Sequence, residues 1–200
     1  MKVDARIWLK RKEEAYAKLK EDLEIGYLDE DIIDVLEEIF KRDEAFTVSS
    51  CSGRIVIVDS QYPWERKDST VLFKKHQPIT LSEIIDIINQ PAVSAMWLVV
   101  VGPIIHVSTL TLREAFRILK VAREAGFKHS GILSVSRKGI TVELRTGIRL
   151  AVLLKVKNEL VINYEKLEEI IGIANKALIL GKVRLKKLLE VLKSSTLKEG

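Results

Sequence analysis

The sequence predicts an α+β fold, a mixed but mostly antiparallel sheet with helices packed on it. Three observations carry this. Apolar residues recur at helical spacing toward both ends of the chain, while residues 51–155 break into short apolar or alternating runs bounded by Gly, Pro, Asn and Ser. The connections between neighbouring runs are short, which favours antiparallel pairing. The ten glycines contain no G-x-G pair, and the elements do not repeat as β-α-β crossovers, so a non-Rossmann arrangement is expected.

Residues 3–24 read as a helix with Ile7, Leu9, Ala15, Leu19 and Leu23 on a partial apolar stripe. Gly26 ends it, and Asp29 is placed to cap a second helix running to about residue 42. Ile32, Ile33, Leu36, Ile39 and Phe40 form the buried side of that helix, and the two helices read as a hairpin. Strands follow over 54–59 and 69–74, joined by a polar loop, 61–68, that contains Pro63 and Trp64. Thr80 or Ser82 caps a short helix over 81–89, which Pro91 closes. Residues 94–101 and 104–110 read as strands around the Gly102-Pro103 turn. Residues 112–126 are an amphipathic helix, and 130–137 with 140–145 form a hairpin through Lys138-Gly139. Residues 149–155 suit a further strand or a ligand loop, and 164–180 and 184–194 read as two closing helices. From residue 69 the two strand-helix-strand units in series hint at an internal β-α-β-β duplication.

A chain of 200 residues suits one domain. Its parts are a helical hairpin over 1–44, an α+β core over 45–155 and basic helices over 160–195. With 30% charged and 47% apolar residues the chain reads as an ordinary globular protein. Charge is uneven: residues 1–44 hold nine Lys/Arg against fourteen Asp/Glu, and the remainder twenty-four against fourteen. A basic body suits a polyanionic partner. Cys51 is the single cysteine, so neither an intramolecular disulfide nor a cysteine-rich zinc site can form within one chain. Lys2, Asp4, Arg6 and Lys10 break any leading apolar run, and the most apolar stretch, 92–107, is interrupted by Gly102-Pro103. A cytoplasmic protein without a membrane partner is expected. The spacing of the three histidines gives no metal site.

The chain's most unusual stretch is T-V-S-S-C-S-G-R, Thr47 to Arg54, which gathers small hydroxyls around one glycine and adds a planar cation. Such a segment lets backbone approach a ligand, with Arg54 facing a carboxylate or phosphate. It also suits a connection whose serines bond the local backbone.

The run S-S-C-S-G-R resembles the signature of the wybutosine-synthesis methyltransferases that act on phenylalanine tRNA. Further similar motifs follow in order. They are Lys75-His76, Trp97, the run Pro103-Ile104-Ile105-His106-Val107, and the run from Gly126 through Phe127, Lys128, His129, Ser130 and Gly131 to Ile132. Asp22, Gly26, Leu28 and Asp29 fit upstream, and residues 61–68 depart from the family pattern. The resemblance implies S-adenosylmethionine-dependent methylation of a ring nitrogen (N4) of a tricyclic guanine derivative at position 37 of tRNA(Phe).

Ser50, Cys51, His76 and His106 are the candidate catalytic residues, the histidines as bases for a ring N–H. For Cys51 a small buried thiol is the alternative to a nucleophile. His106 alternates with Ile105 and Val107 on its strand, so it faces away from them. Cofactor contacts fall on Ser49, Ser52, Arg54, Trp97 and His106, with Trp97 either a core residue or a stacking ring. Arg54, Lys75, Lys128, Ser130, Arg137, Lys138, Lys186 and Lys187 are candidate tRNA contacts, with Lys182, Arg184, Lys193, Arg145 and Arg149 extending that face. His129 reads as a surface or anion-contacting residue. A non-catalytic RNA-binding module is the alternative function, because a serine-rich loop and an arginine also grip phosphates.

Overall fold

The computed structural model describes residues 2–65 and 67–196. In chain order its elements begin with α1 (Ala5–Glu24), α2 (Glu30–Phe40), β1 (Ala45–Cys51), β2 (Arg54–Asp59) and β3 (Thr70–Lys75). Next come α3 (Leu81–Asn89), β4 (Ala95–Val101), β5 (Ile104–Thr109), α4 (Leu112–Glu124) and β6 (Gly131–Ser136). The chain closes with β7 (Gly139–Arg145), β8 (Arg149–Val156), β9 (Glu159–Leu160) and α5 (Tyr164–Thr196). The α+β class is borne out, and every strand pair is antiparallel. The strands divide between two sheets rather than joining one. Contacts likewise group the chain into two compact units. Among the described residues no helix is long and apolar enough to cross a membrane.

The first unit takes the described residues up to Ser52, Pro103–Gly147, and those from Lys182 onward. Its sheet has the order β1-β5-β7-β6. Asp4 caps α1 by accepting the backbone N–H of Arg6 (3.1 Å) and of Ile7 (3.4 Å). Gly26, at φ +67°, turns the chain out of α1 as its position requires. Trp8 is buried on the inner side of α1, where its indole N–H donates to Ser108 Oγ at 3.1 Å and its ring meets Phe46 at 5.1 Å. Ala115, Ile118, Leu119 and Ala122 on α4 share a core with Ile105, Val107, Val142 and Leu144 of the sheet and with Leu185, Leu188 and Leu192 of α5. An ion pair is buried in this unit, Arg42 Nε to Glu114, with the two side chains 5% and 4% exposed. Arg42 also donates to Ser195 Oγ at 3.3 Å, which helps such a pair offset its desolvation.

The second unit takes Gly53–Gly102 and Ile148–Gly181. Its sheet has the order β3-β2-β4-β8-β9. Ile55, Ile57, Met96, Leu98 and Val100 present one face to Ile84 and Ile88 of α3 and to Leu167, Ile171, Ala174 and Leu178 of α5. Thr80 and Glu83 form a capping box at the start of α3. At its other end the buried Lys155 ammonium donates to the carbonyls of Ile88 (3.0 Å) and Gln90 (2.7 Å), where the helix dipole favours a cation. The Asn175 side chain exchanges two bonds with the backbone of Ile79, at 2.8 and 2.9 Å, fixing α5 to the segment before α3.

Besides the division into two sheets, three features differ from the sequence reading. The serine-rich stretch is mostly strand, since Thr47 to Cys51 belong to β1 and not to a loop. β9 is an added two-residue strand. The two closing helices are one, because a lone Gly181 without proline costs only about 1 kcal/mol and the apolar stripe continues on both sides of it.

Candidate active site

The site is built from a strand irregularity. β1 pairs with β5, and the register shifts between Thr47 and Ser49. Thr47 lies opposite Val107 and Ser49 opposite His106, so Val48 is the extra residue and is exposed. In a regular strand Thr47 and Ser49 would share a face; the bulge re-aims Ser49 to the face of His106. Ile105 and Val107 are fully buried, and His106 faces away from them, as its alternation predicts.

On that face three strands contribute one polar side chain each. Ser49 Oγ is 2.8 Å from His106 Nδ1, and His106 Nε2 is 3.2 Å from Glu143 Oε2 on β7, its directly paired neighbour. The His106 and Glu143 side chains are 29% and 21% exposed. A carboxylate can only accept, so Nε2 carries the proton in this arrangement. In the neutral imidazole Nδ1 is then the acceptor, and the Ser49 hydroxyl donates to it. Ser49 thus presents an oxygen backed by a base, which is itself oriented by a carboxylate.

Ser49 and Ser50 also line a cavity of about 300 Å³ with Thr47 and Val48 of β1, Lys18 and Asp22 of α1, and Tyr27. Lys18 Nζ bonds Asp22 Oδ1 at 3.0 Å, and that carboxylate raises the lysine pKa, first by the hydrogen bond and then by its charge. The lining therefore combines hydroxyls, one charge of each sign and an exposed ring. A larger cavity of about 640 Å³, lined by Leu9, Lys12, Tyr16 and Phe40 among others, contains none of the sequence-predicted residues.

The other predicted residues have different surroundings. Cys51 ends β1 opposite Ile104 as a half-buried free thiol. Ser52 is fully buried, and its hydroxyl donates to Asp29 Oδ2 at 2.7 Å while accepting from Lys182 Nζ at 2.9 Å. Lys182 also pairs with Asp31, so this lysine is a structural joint rather than an outlying member of a basic face. Ser130 is buried where α4 gives way to β6, donating to the Phe127 carbonyl (2.7 Å) and accepting from Arg145 N–H (3.0 Å). That is the polar-turn role its sequence position also suits. Lys128, Arg137, Lys138, Lys186 and Lys187 are exposed. Arg137 reaches Asp4 at 3.5 Å from a largely exposed position. His129 is exposed, with its ring close against Gly147.

Five predicted residues belong to the second unit, Arg149 at the start of β8 among them. Arg54 is exposed at the start of β2, and Lys75 pairs with Glu83. His76 follows β3, half-buried. Trp97 on β4 is half-buried and donates its indole N–H to the Ser60 carbonyl at 3.2 Å. Glu143 is the site residue that sequence reasoning missed, while Asp29 and Lys182, expected as a helix cap and a tRNA contact, hold Ser52. For Glu143 the alternation along β7 was the available signal, but its pairing with His106 needed the register.

Similarity to known proteins defines the class first. The fold matches the PH1069 protein from Pyrococcus horikoshii with a TM-score of 0.87 and 34% identity, covering 94% of this chain and 96% of that one. It also matches a hypothetical protein from Aeropyrum pernix, with a TM-score of 0.75, 29% identity and coverage of 82% and 98%. Residues 10–194 match the family described as Methyltransferase TYW3, and the chain belongs to that family. A Saccharolobus solfataricus relative is 44% identical over 191 residues, 95% of this chain and 91% of that protein. It is named tRNA(Phe) 7-((3-amino-3-carboxypropyl)-4-demethylwyosine(37)-N(4))-methyltransferase. A Thermococcus sibiricus relative of the same name is 38% identical over 178 residues, 89% of this chain and 90% of that protein.

Proposed function

We propose that this protein methylates N4 of the tricyclic 4-demethylwyosine derivative at position 37 of tRNA(Phe), with S-adenosylmethionine as methyl donor. The observation that carries the reading is the 44% identity, over 95% of the chain, to a relative named for that reaction. The chemistry of the first unit supports it. A cavity of about 300 Å³ is at the lower end of small-molecule sites, which run from roughly 300 to 1,000 Å³. Its lining suits a zwitterionic nucleoside. Lys18 and Asp22 oppose the carboxylate and ammonium, Ser49 and Ser50 offer hydroxyls to polar edges, and Tyr27 offers a ring face to adenine. When bound, the donor supplies an electrophilic methyl on sulfonium with a good leaving group.

The protein's own work is alignment and proton removal. Holding two reactants in line supplies roughly 7–11 kcal/mol of such a barrier. The ring nitrogen sheds a proton as it takes the methyl group. Ser49 Oγ receives that proton as its own passes to His106 Nδ1, and Glu143 holds the Nε2–H and stabilises the imidazolium. The exposed cations Lys128, Arg137, Lys138, Lys186 and Lys187 meet the tRNA backbone. Residues 103–147 alone hold eight Lys/Arg against three Asp/Glu.

Calorimetric titration with S-adenosylmethionine, then with its demethylated product, tests the reading. Saturable binding to wild type, weakened in Ser50→Ala, is expected. A protein that binds tRNA(Phe) but neither small molecule, and leaves tRNA carrying the precursor base unmethylated, is a non-catalytic RNA module instead. For the tRNA, log Kd should rise by roughly 0.7–0.9 per log unit of salt for each phosphate neutralised.

A further inference from the structure

The connection from β2 to β3 is fixed at its root and aromatic at its tip. Asp59 is buried, and its carboxylate accepts the N–H groups of Val93 (2.6 Å) and Ser94 (2.9 Å). Ser60 is also buried. Its N–H donates to the Ala95 carbonyl (3.0 Å), its hydroxyl donates to the Tyr62 carbonyl (2.8 Å), and its own carbonyl accepts the Trp97 indole N–H (3.2 Å). Glu65 N–H closes on the same Tyr62 carbonyl at 3.1 Å, and Pro63 restricts the backbone between the two aromatic residues.

On this root the rings of Tyr62 and Trp64 lie parallel within 7°, their centroids 5.2 Å apart. Trp64 is 67% exposed and Tyr62 47%. The chain's other tryptophans are accounted for, Trp8 buried in the core and Trp97 bonded to Ser60. Within the loop the exposed neighbours Gln61, Lys67 and Asp68 are polar, so its apolar surface is the open face of one ring stack, with the exposed Val93 side chain at its root. That is too small for a stable protein interface, which buries roughly 800 Å² per partner. It is the size and shape of one flat ring.

We infer that Tyr62 and Trp64 form a stacking platform for an unpaired nucleobase of the RNA substrate. The inference rests on the RNA-methyltransferase reading and adds to it a contact outside the Ser49–His106–Glu143 group. A base entering beside the pair extends a stack that already exists, so little ordering entropy opposes it. Any base has a π face, so the platform reads flatness and not sequence. Lys67 supplies a cation on the same loop for the adjoining phosphate.

The test compares full-length wild type with Trp64→Ala, Trp64→Phe and Tyr62→Ala. Equilibrium binding to tRNA(Phe), quenching of tryptophan fluorescence by an unpaired oligoadenylate, and melting temperature are read for each. Both alanine variants are expected to weaken tRNA binding roughly tenfold or more, with Trp64→Phe between them and wild type. Quenching by oligoadenylate should be lost in Trp64→Ala. Melting temperature and S-adenosylmethionine binding should stay at wild-type values. Wild-type tRNA affinity together with unchanged quenching in Trp64→Ala overturns the platform while leaving the methyltransferase reading in place. A change in oligomeric state in Trp64→Ala, without a change in RNA binding, assigns the rings to a protein contact and also overturns it. A wild-type protein that binds no tRNA removes the underlying reading and the platform together.

Discussion

Ser49 Oγ stands 2.8 Å from His106 Nδ1, and a single extra residue, Val48, makes that contact. The two residues are far apart in sequence; alternation along β5 sets the face of His106, and the bulge in β1 sets that of Ser49. Without the bulge, β1 would turn Ser49 to the face of Ile105 and Val107, into the core. The irregularity therefore moves a hydroxyl from a packing position to one beside an imidazole, and β7 adds the carboxylate.

Removing the base should lower turnover without unfolding the protein. His106→Ala is expected to reduce kcat by roughly 10²–10⁴. Glu143→Gln should reduce kcat in the same direction while the KM for tRNA stays near wild type, because it acts by orienting His106. Single-turnover assays on tRNA carrying the precursor base decide this. A His106→Ala enzyme with wild-type kcat would remove the proton-transfer role.

Two serines of one motif should behave oppositely. Ser52→Ala takes a partner from Asp29 and Lys182 in a buried position and should cost about 1–3 kcal/mol of stability. Ser50→Ala, at a half-buried position lining the cavity, should change stability by no more than about 0.5 kcal/mol. Urea midpoints at constant m-value separate the two. Equal losses would contradict the division of the motif into a joint and a cavity wall.

Two glycines should also diverge. Gly126 sits at φ +90°, and an added Cβ would lie 2.7 Å from the Arg184 guanidinium, so Gly126→Ala should destabilise by roughly 1–3 kcal/mol. At Gly172, inside α5, nothing lies within 4 Å of an added Cβ. Gly172→Ala should stabilise by roughly 0.5–1 kcal/mol through the lower entropy of the unfolded chain. Thermal melts of both variants check the pair, and a Gly172→Ala protein that melts below wild type would refute the second half.

The capping box of α3 should be sensitive to acid. The Lys75 ammonium, bonded to Glu83, and then the Thr80 backbone N–H hold the Glu83 carboxyl below the usual carboxylate range. Its contribution is therefore complete above the unfolded carboxyl pKa, near 4.3, and is lost as pH falls through the lower folded value. Glu83→Gln should narrow the drop in melting temperature between pH 5 and pH 3. An unchanged drop would show that the pair contributes nothing there.

Much of the fold was legible before the structure. Residues 54–59 and 81–89 agree with β2 and α3 at both ends because turn and cap residues mark them. Asp29 was placed correctly at the start of α2, but its carboxylate bonds Ser52 instead of the helix N–H groups. That choice depends on a residue from another element, which local spacing cannot reveal. From sequence the serine-rich stretch after Phe46 reads as a loop; Thr47 to Cys51 is strand because β5 offers it a ladder. The sequence suggests two closing helices, 164–180 and 184–194, but across Gly181 the continuing burial of Leu185, Leu188 and Leu192 outweighs the local preference.

The sequence by itself determined the class of fold, the order of nearly all the elements, the outward face of His106 and the motifs that resemble the methyltransferase family. These follow from local periodicity, capping chemistry and residue order, all of which are properties of neighbouring residues. Tertiary structure alone decided that the strands form two sheets, that Val48 bulges, that Glu143 stands beside His106 and that Ser52 lies buried between Asp29 and Lys182. Each depends on strand register or on packing between distant segments. One residue of slip exchanges the two faces of a strand, and no local pattern fixes which distant partner a polar side chain will meet.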